Sequence, residues 1–474
     1  MSEQHAPRVH RTVFERLAPP DDVVDRALVD SVPVPFWLDA IAAQRDAHPP
    51  LSSPVEADLA IVGGGYLGLW SAILAKERDP SLDVVLVEAK RIGMGASGRN
   101  GGFCEASLTH GEENGRRRWP EEFERLQAMG LRNLDEFEET IWRHGIACDF
   151  ERTGVLSVAV EPYQAESLGD ERLSAAQVRA EIDSPTYLAG HWDREGGALV
   201  HPGKLALGLA LVAAKLGVRI FESSPALRMT EVGGGLRVET ASAHVDARRI
   251  ILATNAFPSL LRRYRRHVLP VYDYALMTAP LSPAQLASIG WRHRQGVADL
   301  GNQFHYYRLS ADNRILFGGY DAVYHFGGRH RAAYEDRTES FRKLASHFLV
   351  TFPQLEGLRF THRWAGVIDT SSRFCAFFVR AHAGRVGYAA GFTGLGVGAT
   401  RFAANVLLDQ VFGLDTERTR LRMVREMPMP FPPEPFAFAA VSAVRWALDR
   451  ADHRHGRRNA LLRTLDALGL GFDS

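Results

Sequence analysis

Three glycines, Gly63, Gly65 and Gly68, follow the apolar run DLAIV (Asp58 to Val62) in the spacing GxGxxG. That spacing suits one kind of chemistry. Gly63 permits a tight turn, Gly65 lets backbone amides approach a pyrophosphate, and Gly68 lets a helix pack closely on the preceding strand. Tyr66 and Leu67 open that helix, whose unpaired N–H groups and positive end favour a diphosphate. Glu88 ends the next apolar run, DVVLVE, twenty residues past Gly68, where a carboxylate can accept hydrogen bonds from ribose hydroxyls. These residues specify a dinucleotide without choosing between NAD and FAD. The choice falls to RIGMGASGRNGG, which follows Ala89 and runs from Arg91 to Gly102. Its small residues Gly95, Ala96, Ser97, Gly98, Gly101 and Gly102, with Arg99 and Asn100, form a segment able to thread between the diphosphate and an isoalloxazine ring. An NAD-only domain would proceed here to its next strand. The expected cofactor is FAD.

The elements that must position these groups follow from periodicity. Strand, glycine turn, helix (Leu69, Ala72 and Ile73 on one face) and strand make a βαβ unit with a right-handed crossover. Pro202 opens a second helix to about Leu216, with Gly217 in the position that ends helices. The strand VRIF, a hairpin around Gly233-Gly234-Gly235 and the strand RIILATNA follow. Between roughly 257 and 380 the pattern turns to aromatic-rich β segments such as NQFHYYRL and NRILFGGY. VGYAAGFTGLGVGATRFAANVLLDQVFG then reads as strand, glycine loop and long helix. The expected fold is α/β plus β. A Rossmann-like FAD-binding domain of the glutathione-reductase type comes from segments 56–150, 200–256 and 383–413. An antiparallel-sheet substrate domain comes from 151–199 and 257–382. Residues 1–55, with prolines from Pro7 to Pro54, read as an extended lead-in. Residues 414–474 form a proline-rich linker and a helical extension.

Composition narrows the function classes. The 474 residues carry 56 basic and 56 acidic side chains, a balance that gives no general attraction to nucleic acid or anionic membranes. Three cysteines without CxxC spacing argue against a metal cluster and against a flavin-linked disulfide reductase. The N-terminus has no apolar signal region and no stretch reaches transmembrane length, so a cytoplasmic protein is expected. Six arginines against two aspartates between Val444 and Arg463 read as a solvated face on a helix docked to the body or to a second subunit. The arginines at 262, 263, 265 and 266 read as solvated surface.

Together, IVGGGYLGL, VLVEA and GASGRNGG resemble the D-amino-acid-oxidase-like FAD oxidoreductases, most of all the branch containing gamma-glutamylputrescine oxidoreductase. The resemblance runs from about residue 35 to 413. It implies that HPGKLALGLALVAAKLGVRIFE re-enters the FAD domain and leads to Ala226. It also implies that Ala253, Thr254 and Asn255 end a strand touching the cofactor. The loop GFTGLGVG, with Gly391, Gly394, Leu395, Gly396 and Val397, would lie under the flavin pyrimidine. A helix starting near Leu395 would there direct its positive end at the charge of the reduced ring. Some relatives tether FAD through a cysteine shortly before the C-terminal strand. Here Trp364 or a neighbour occupies that place, so non-covalent FAD is expected.

The resemblance further implies a small amine or amino-acid substrate giving a hydride from its C–N bond to flavin N5. The resulting imine would hydrolyse, and molecular oxygen or an electron carrier would reoxidise the flavin. Candidates for substrate chemistry lie in Phe304-His305-Tyr306-Tyr307-Arg308, where His305 and Tyr307 share one strand face and Arg308 lies on the other. If the first face looks into the pocket, His305 would accept a proton from a substrate ammonium and Tyr307 would line the site; if the second does, the role falls to Arg308. Arg308 would bind a carboxylate or assist oxygen; an arginine clamp for an α-carboxylate is otherwise not evident. The alternatives are a 2-hydroxy-acid dehydrogenase passing electrons to a quinone or carrier, and a non-catalytic dinucleotide-binding protein.

Overall fold

A computed structural model describes residues 10–45, 47–169 and 172–470. Its first sheet is built around the apolar strand Val55–Val62, whose Leu59, Ala60 and Ile61 are buried. Both neighbours, Val84–Val87 and His244–Leu252, run parallel to it. A strand hydrogen-bonded on both edges and covered on both faces must be apolar throughout, hence the unbroken DLAIV and VVLV runs. Arg219–Phe221 extends the sheet on one side, and Val386–Ala390 then Phe377–Ala381 on the other. The helix Tyr66–Arg78 packs beside Pro202–Lys215 and Gly396–Val411, which buries Leu69, Trp70 and Ile73 completely.

Among the described residues, the second sheet has nine strands. Toward one edge lies the long strand Leu269–Thr278, paired antiparallel with Phe360–Thr370 and Ile315–Gly319. His305–Leu309 follows Ile315–Gly319, and Gly296–Asp299 comes next. The expected purely antiparallel sheet is mixed, because Gly296–Asp299 runs parallel to Val155–Ala159. These two strands come from separate chain segments, so no tight turn imposes opposite directions. The helix Thr338–Thr351 covers the back of the sheet with Phe341, Leu344 and Phe348.

Three boundaries differ from the sequence reading. Phe377–Ala381 pairs with Val386–Ala390 through a short turn, so a segment expected in the substrate domain lies in the dinucleotide sheet. A hairpin this tight keeps both strands in one ladder. Gly197–Leu199, also expected in the substrate domain, pairs with Phe103–Glu105 in a separate two-stranded sheet. The lead-in is not simply extended: it carries short helices at Val13–Arg16, Asp21–Leu28 and Phe36–Asp39. Pro20 and Pro35 sit just before two of them, where a missing N–H costs nothing. Among the described residues, no helix is long and apolar enough to cross a membrane.

Candidate active site

The dinucleotide turn is fixed by contacts that only glycine allows. Gly63 adopts φ +115°, and a Cβ there would overlap the Ala253 carbonyl. A Cβ on Gly68 would overlap the Gly63 carbonyl, so the helix rests directly on the turn. Gly65 precedes the helix, and the Tyr66 amide donates to Ser97 Oγ at 2.9 Å. Leu67 is buried beneath it. Glu88 accepts from the Gly64 amide at 2.7 Å and the Lys90 amide at 2.8 Å, and burial raises its carboxyl above the ordinary range. A close-packed glycine turn, a helix N-terminus and a carboxylate at the next strand end fit the adenosine diphosphate half of FAD.

Between Ala89 and Gly102 the chain crosses toward the second sheet. Arg91 turns to the Arg45 carbonyl at 2.9 Å and lies 3.5 Å from Glu222. Gly95 leads into a short turn, Ala96–Gly98, where Asn100 donates to the Ala96 and Ser97 carbonyls and accepts from the Gly102 amide. Trp37 of the lead-in donates to the Asn100 carbonyl, and Trp364 donates to the Arg99 carbonyl. Arg99 itself is committed to Glu335 at 2.7 Å and to the carbonyls of Met94 and Ala365. The loop is therefore held from both domains, with Ala96, Arg99, Asn100 and Gly101 facing a large cavity.

The C-terminal glycine loop reaches the same cavity. Gly391 and Gly394 have φ +82° and +93°, and the helix Gly396–Val411 starts one residue after Leu395, with Val397 also at the cavity wall. The loop is fixed by Asp369, a buried carboxylate that accepts from the Gly391 amide at 2.7 Å. Burial pushes its carboxyl up to about 7. Asn255 sits at φ +49° after Ala253 and Thr254, beyond the end of His244–Leu252, and Ala226 lies partly buried past Arg219–Phe221.

The cavity has a volume of about 1210 Å³ and lies between the glycine loops and the front of the second sheet. The C-terminal extension roofs it: Phe431, Val441, Val444 and Leu448 line the wall, from the linker and the helix Phe436–Asp452. Asp452 latches this helix down, accepting from Asn302 Nδ2 at 2.7 Å and from the Tyr163 hydroxyl at 2.9 Å. Glu434 accepts from the Tyr324 hydroxyl and the Gly327 amide.

None of the three residues expected to carry substrate chemistry lines this cavity. His305 is fully buried behind Asp299, 2.6 Å from its carboxylate and 2.9 Å from His347, with Phe14 packed on both rings. Tyr307 shares its hydroxyl with Tyr187 at 2.8 Å within the core. Both point to the back face because the helix Thr338–Thr351 covers that side of the sheet. Arg308 is on the front face but buried under the loop, donating to the carbonyls of Val200 at 2.6 Å and Gly102 at 3.3 Å. Burial lowers its guanidinium to about 10. Its fork closes backbone acceptors and meets no open space.

The strand presents Tyr306 instead. Its hydroxyl donates to Asp273 Oδ2 at 2.5 Å, and both side chains face the cavity. Burial raises the Asp273 carboxyl to about 7. Sequence reasoning missed Asp273 and Asp369. The available signal was a lone carboxylate inside an otherwise apolar strand, VYDYALMT and AGVID. The cysteines Cys104, Cys148 and Cys375 are buried, and none lines the cavity, which suits a non-covalent cofactor.

A nucleotide-type sheet and a second sheet with a cavity between them make the architecture of a dinucleotide-binding protein with an enclosed site. The family described as FAD dependent oxidoreductase (DAO) matches residues 58–410, and the chain belongs to it. The probable oxidoreductase OrdL of Haemophilus influenzae is 31% identical over 390 residues, covering 78% of this chain and 86% of that protein. Gamma-glutamylputrescine oxidoreductase of Escherichia coli is 32% identical over 405 residues, covering 80% and 89%. Among solved structures, glycine oxidase from Geobacillus kaustophilus aligns with TM-score 0.62 at 20% identity, over 77% of this chain and 96% of that one. The likeness is one of fold.

Proposed function

We propose that the protein oxidises a small amine at a C–N bond, with non-covalent FAD held by the two glycine loops and Glu88. Bound FAD supplies the two-electron chemistry, so that substrate leaves as an imine that hydrolyses, and molecular oxygen or an electron carrier takes the electrons onward. The chain binds and orients the amine and excludes water from the reacting carbon.

The charge of the cavity wall carries this reading. Glu105, Glu112, Asp193, Glu195, Asp273 and Asp299 line it, against Arg99 and Arg445. Arg99 is already spent on Glu335 and two carbonyls, which leaves Arg445, at the roof, against six carboxyl groups. An α-amino acid or a 2-hydroxy acid needs a free cation for its carboxylate; a cationic amine finds carboxylates. The relatedness to gamma-glutamylputrescine oxidoreductase points the same way.

The test is the visible spectrum of the purified protein, with bands expected near ~370 and ~450 nm from the flavin. Anaerobic addition of n-butylamine, 1,4-diaminobutane, N-methylglycine and alanine is compared with lactate and glycolate. Bleaching by the first two amines, and not by the hydroxy acids, is expected. Bleaching by lactate alone would replace this reading with the hydroxy-acid one.

A further inference from the structure

We propose that Asp273, steadied by Tyr306, is the group that takes the proton from the substrate's ammonium in the cavity. This deepens the amine-oxidising reading and rests on it. An amine gives up hydride only with a free lone pair, yet simple amines reach the enzyme as cations. His305 cannot serve, being sealed behind Asp299.

The geometry around Asp273 is built from absences that make room for it. Asp273 sits mid-strand in Leu269–Thr278, and its register partner across the ladder is Gly366, which has no side chain to shield it. Tyr306 crosses Gly318, where a Cβ would stand 2.7 Å from the phenol oxygen. Its ring lies against Gly101, whose Cβ would be 2.7 Å from Tyr306 Cε2, and edge-on to Phe103. Three glycines on three segments thus seat one tyrosine–carboxylate pair beside the loop expected to thread between the diphosphate and the isoalloxazine.

Glu105, Glu112, Asp193, Glu195 and Asp299 share the cavity wall with the pair, and Asp321 is the carboxylate whose charge bears on Asp273. Asp321, past the end of Ile315–Gly319, is paired with Arg337 at 2.9 Å and Lys343 at 3.1 Å, both on or beside the back-face helix. Arg99 in the glycine loop is held by Glu335. Arg445 lines the same cavity from the roof. Burial and the Asp321 charge hold Asp273 up to about 7, while Tyr306 pulls it down. The ionised carboxylate is therefore populated at neutral pH and is a competent base.

In the step itself, one N–H bond of the ammonium breaks and an O–H bond forms on Asp273. A cation and an anion become a neutral amine and a neutral carboxyl. An enclosed cavity penalises the charged pair more than the neutral one, which favours the transfer.

The test uses the FAD-loaded enzyme and the best amine of the panel above. The wild-type rate of anaerobic flavin bleaching should fall on the acid side near pH 7. In Asp273→Asn that limb should vanish and the rate should drop about 100-fold. In Tyr306→Phe the limb should persist but move up by about one pH unit, because a donor to the carboxylate is lost.

A second readout needs no turnover. Tetramethylammonium has no proton to give, so by calorimetry it should bind wild type more tightly at pH 8 than at pH 6, and Asp273→Asn equally at both. An unchanged acid limb in Asp273→Asn, or one that stays put in Tyr306→Phe, overturns the assignment while leaving amine oxidation intact. Should no amine bleach the wild-type flavin, the functional reading falls first. If Asp273→Asn does not fold, Tyr306→Phe decides alone.

Discussion

At the scale of single residues, backbone proximity separates the groups that hold the cofactor turn from those that merely sit near it. Gly68 rests on the Gly63 carbonyl with no space for a methyl group. Gly68→Ala must therefore push the helix off the turn and spoil the diphosphate cradle. The variant is expected to purify with less than about a tenth of the wild-type flavin, read as 450 nm absorbance per protein. A fully yellow Gly68→Ala protein would show that the turn does not hold the cofactor.

Arg308 makes the opposite kind of prediction. Its guanidinium satisfies the Val200 and Gly102 carbonyls from a fully buried position, so its role lies in joining the two domains. Arg308→Leu should cost about 3 kcal/mol in chemical denaturation, since two buried carbonyls lose charged donors. A loss below about 0.5 kcal/mol would contradict that role. Sequence reading placed Arg308 among reactive groups because an arginine next to tyrosines on a strand looks the same whether its fork meets substrate or backbone.

At the scale of elements, the C-terminal extension is the part whose purpose changes most on folding. Its arginines suggested a solvated face; Trp446 is indeed exposed, while Arg445 reaches the cavity. The other face, with Val441, Val444 and Leu448, closes the cavity. Asp452 is the latch, taking bonds from Asn302 and Tyr163 that cross from the roof to the substrate sheet. Asp452→Ala should loosen the roof, raising KM about tenfold, the worth of one or two such bonds. The rate of flavin bleaching at saturating amine should change less than about twofold, since the reacting groups lie elsewhere. Equal losses in KM and in that rate would mean the roof also positions the reacting carbon.

At the scale of the whole molecule, two sheets meet across a cavity, and burial raises the carboxyls of Asp273 and Glu105 in its wall and of Asp369 beneath the C-terminal glycine loop. Asp369 shows the consequence for stability. Its carboxyl stands at about 7 in the folded protein against an ordinary 3.8. Between these values the folded state keeps a proton that the unfolded chain has released. Stability from this group is thus full below about pH 4 and lost as pH rises toward 7. Asp369→Asn cannot ionise and should gain stability relative to wild type by about 3 kcal/mol between pH 5 and pH 8. Parallel stability curves for the two proteins across that range would refute this.

The dinucleotide half was legible because its determinants are local. A fully buried parallel strand demands an apolar run, a tight turn demands glycine, and a ribose-binding acid must end the next strand; each leaves its mark within about thirty consecutive residues. The start of the helix at Gly396 was readable for the same reason. The substrate side was not. Alternation along His305–Leu309 divides the residues into two faces, but only the helix Thr338–Thr351, packed from far along the chain, decides that His305 and Tyr307 face inward. Likewise, Asp273 and Tyr306 are 33 residues apart in sequence and become a pair only because the ladder sets Ile315–Gly319 between their strands, where Gly318 lets the tyrosine reach across. Local sequence fixes what a residue can do, whereas which groups share a cavity is a property of long-range packing.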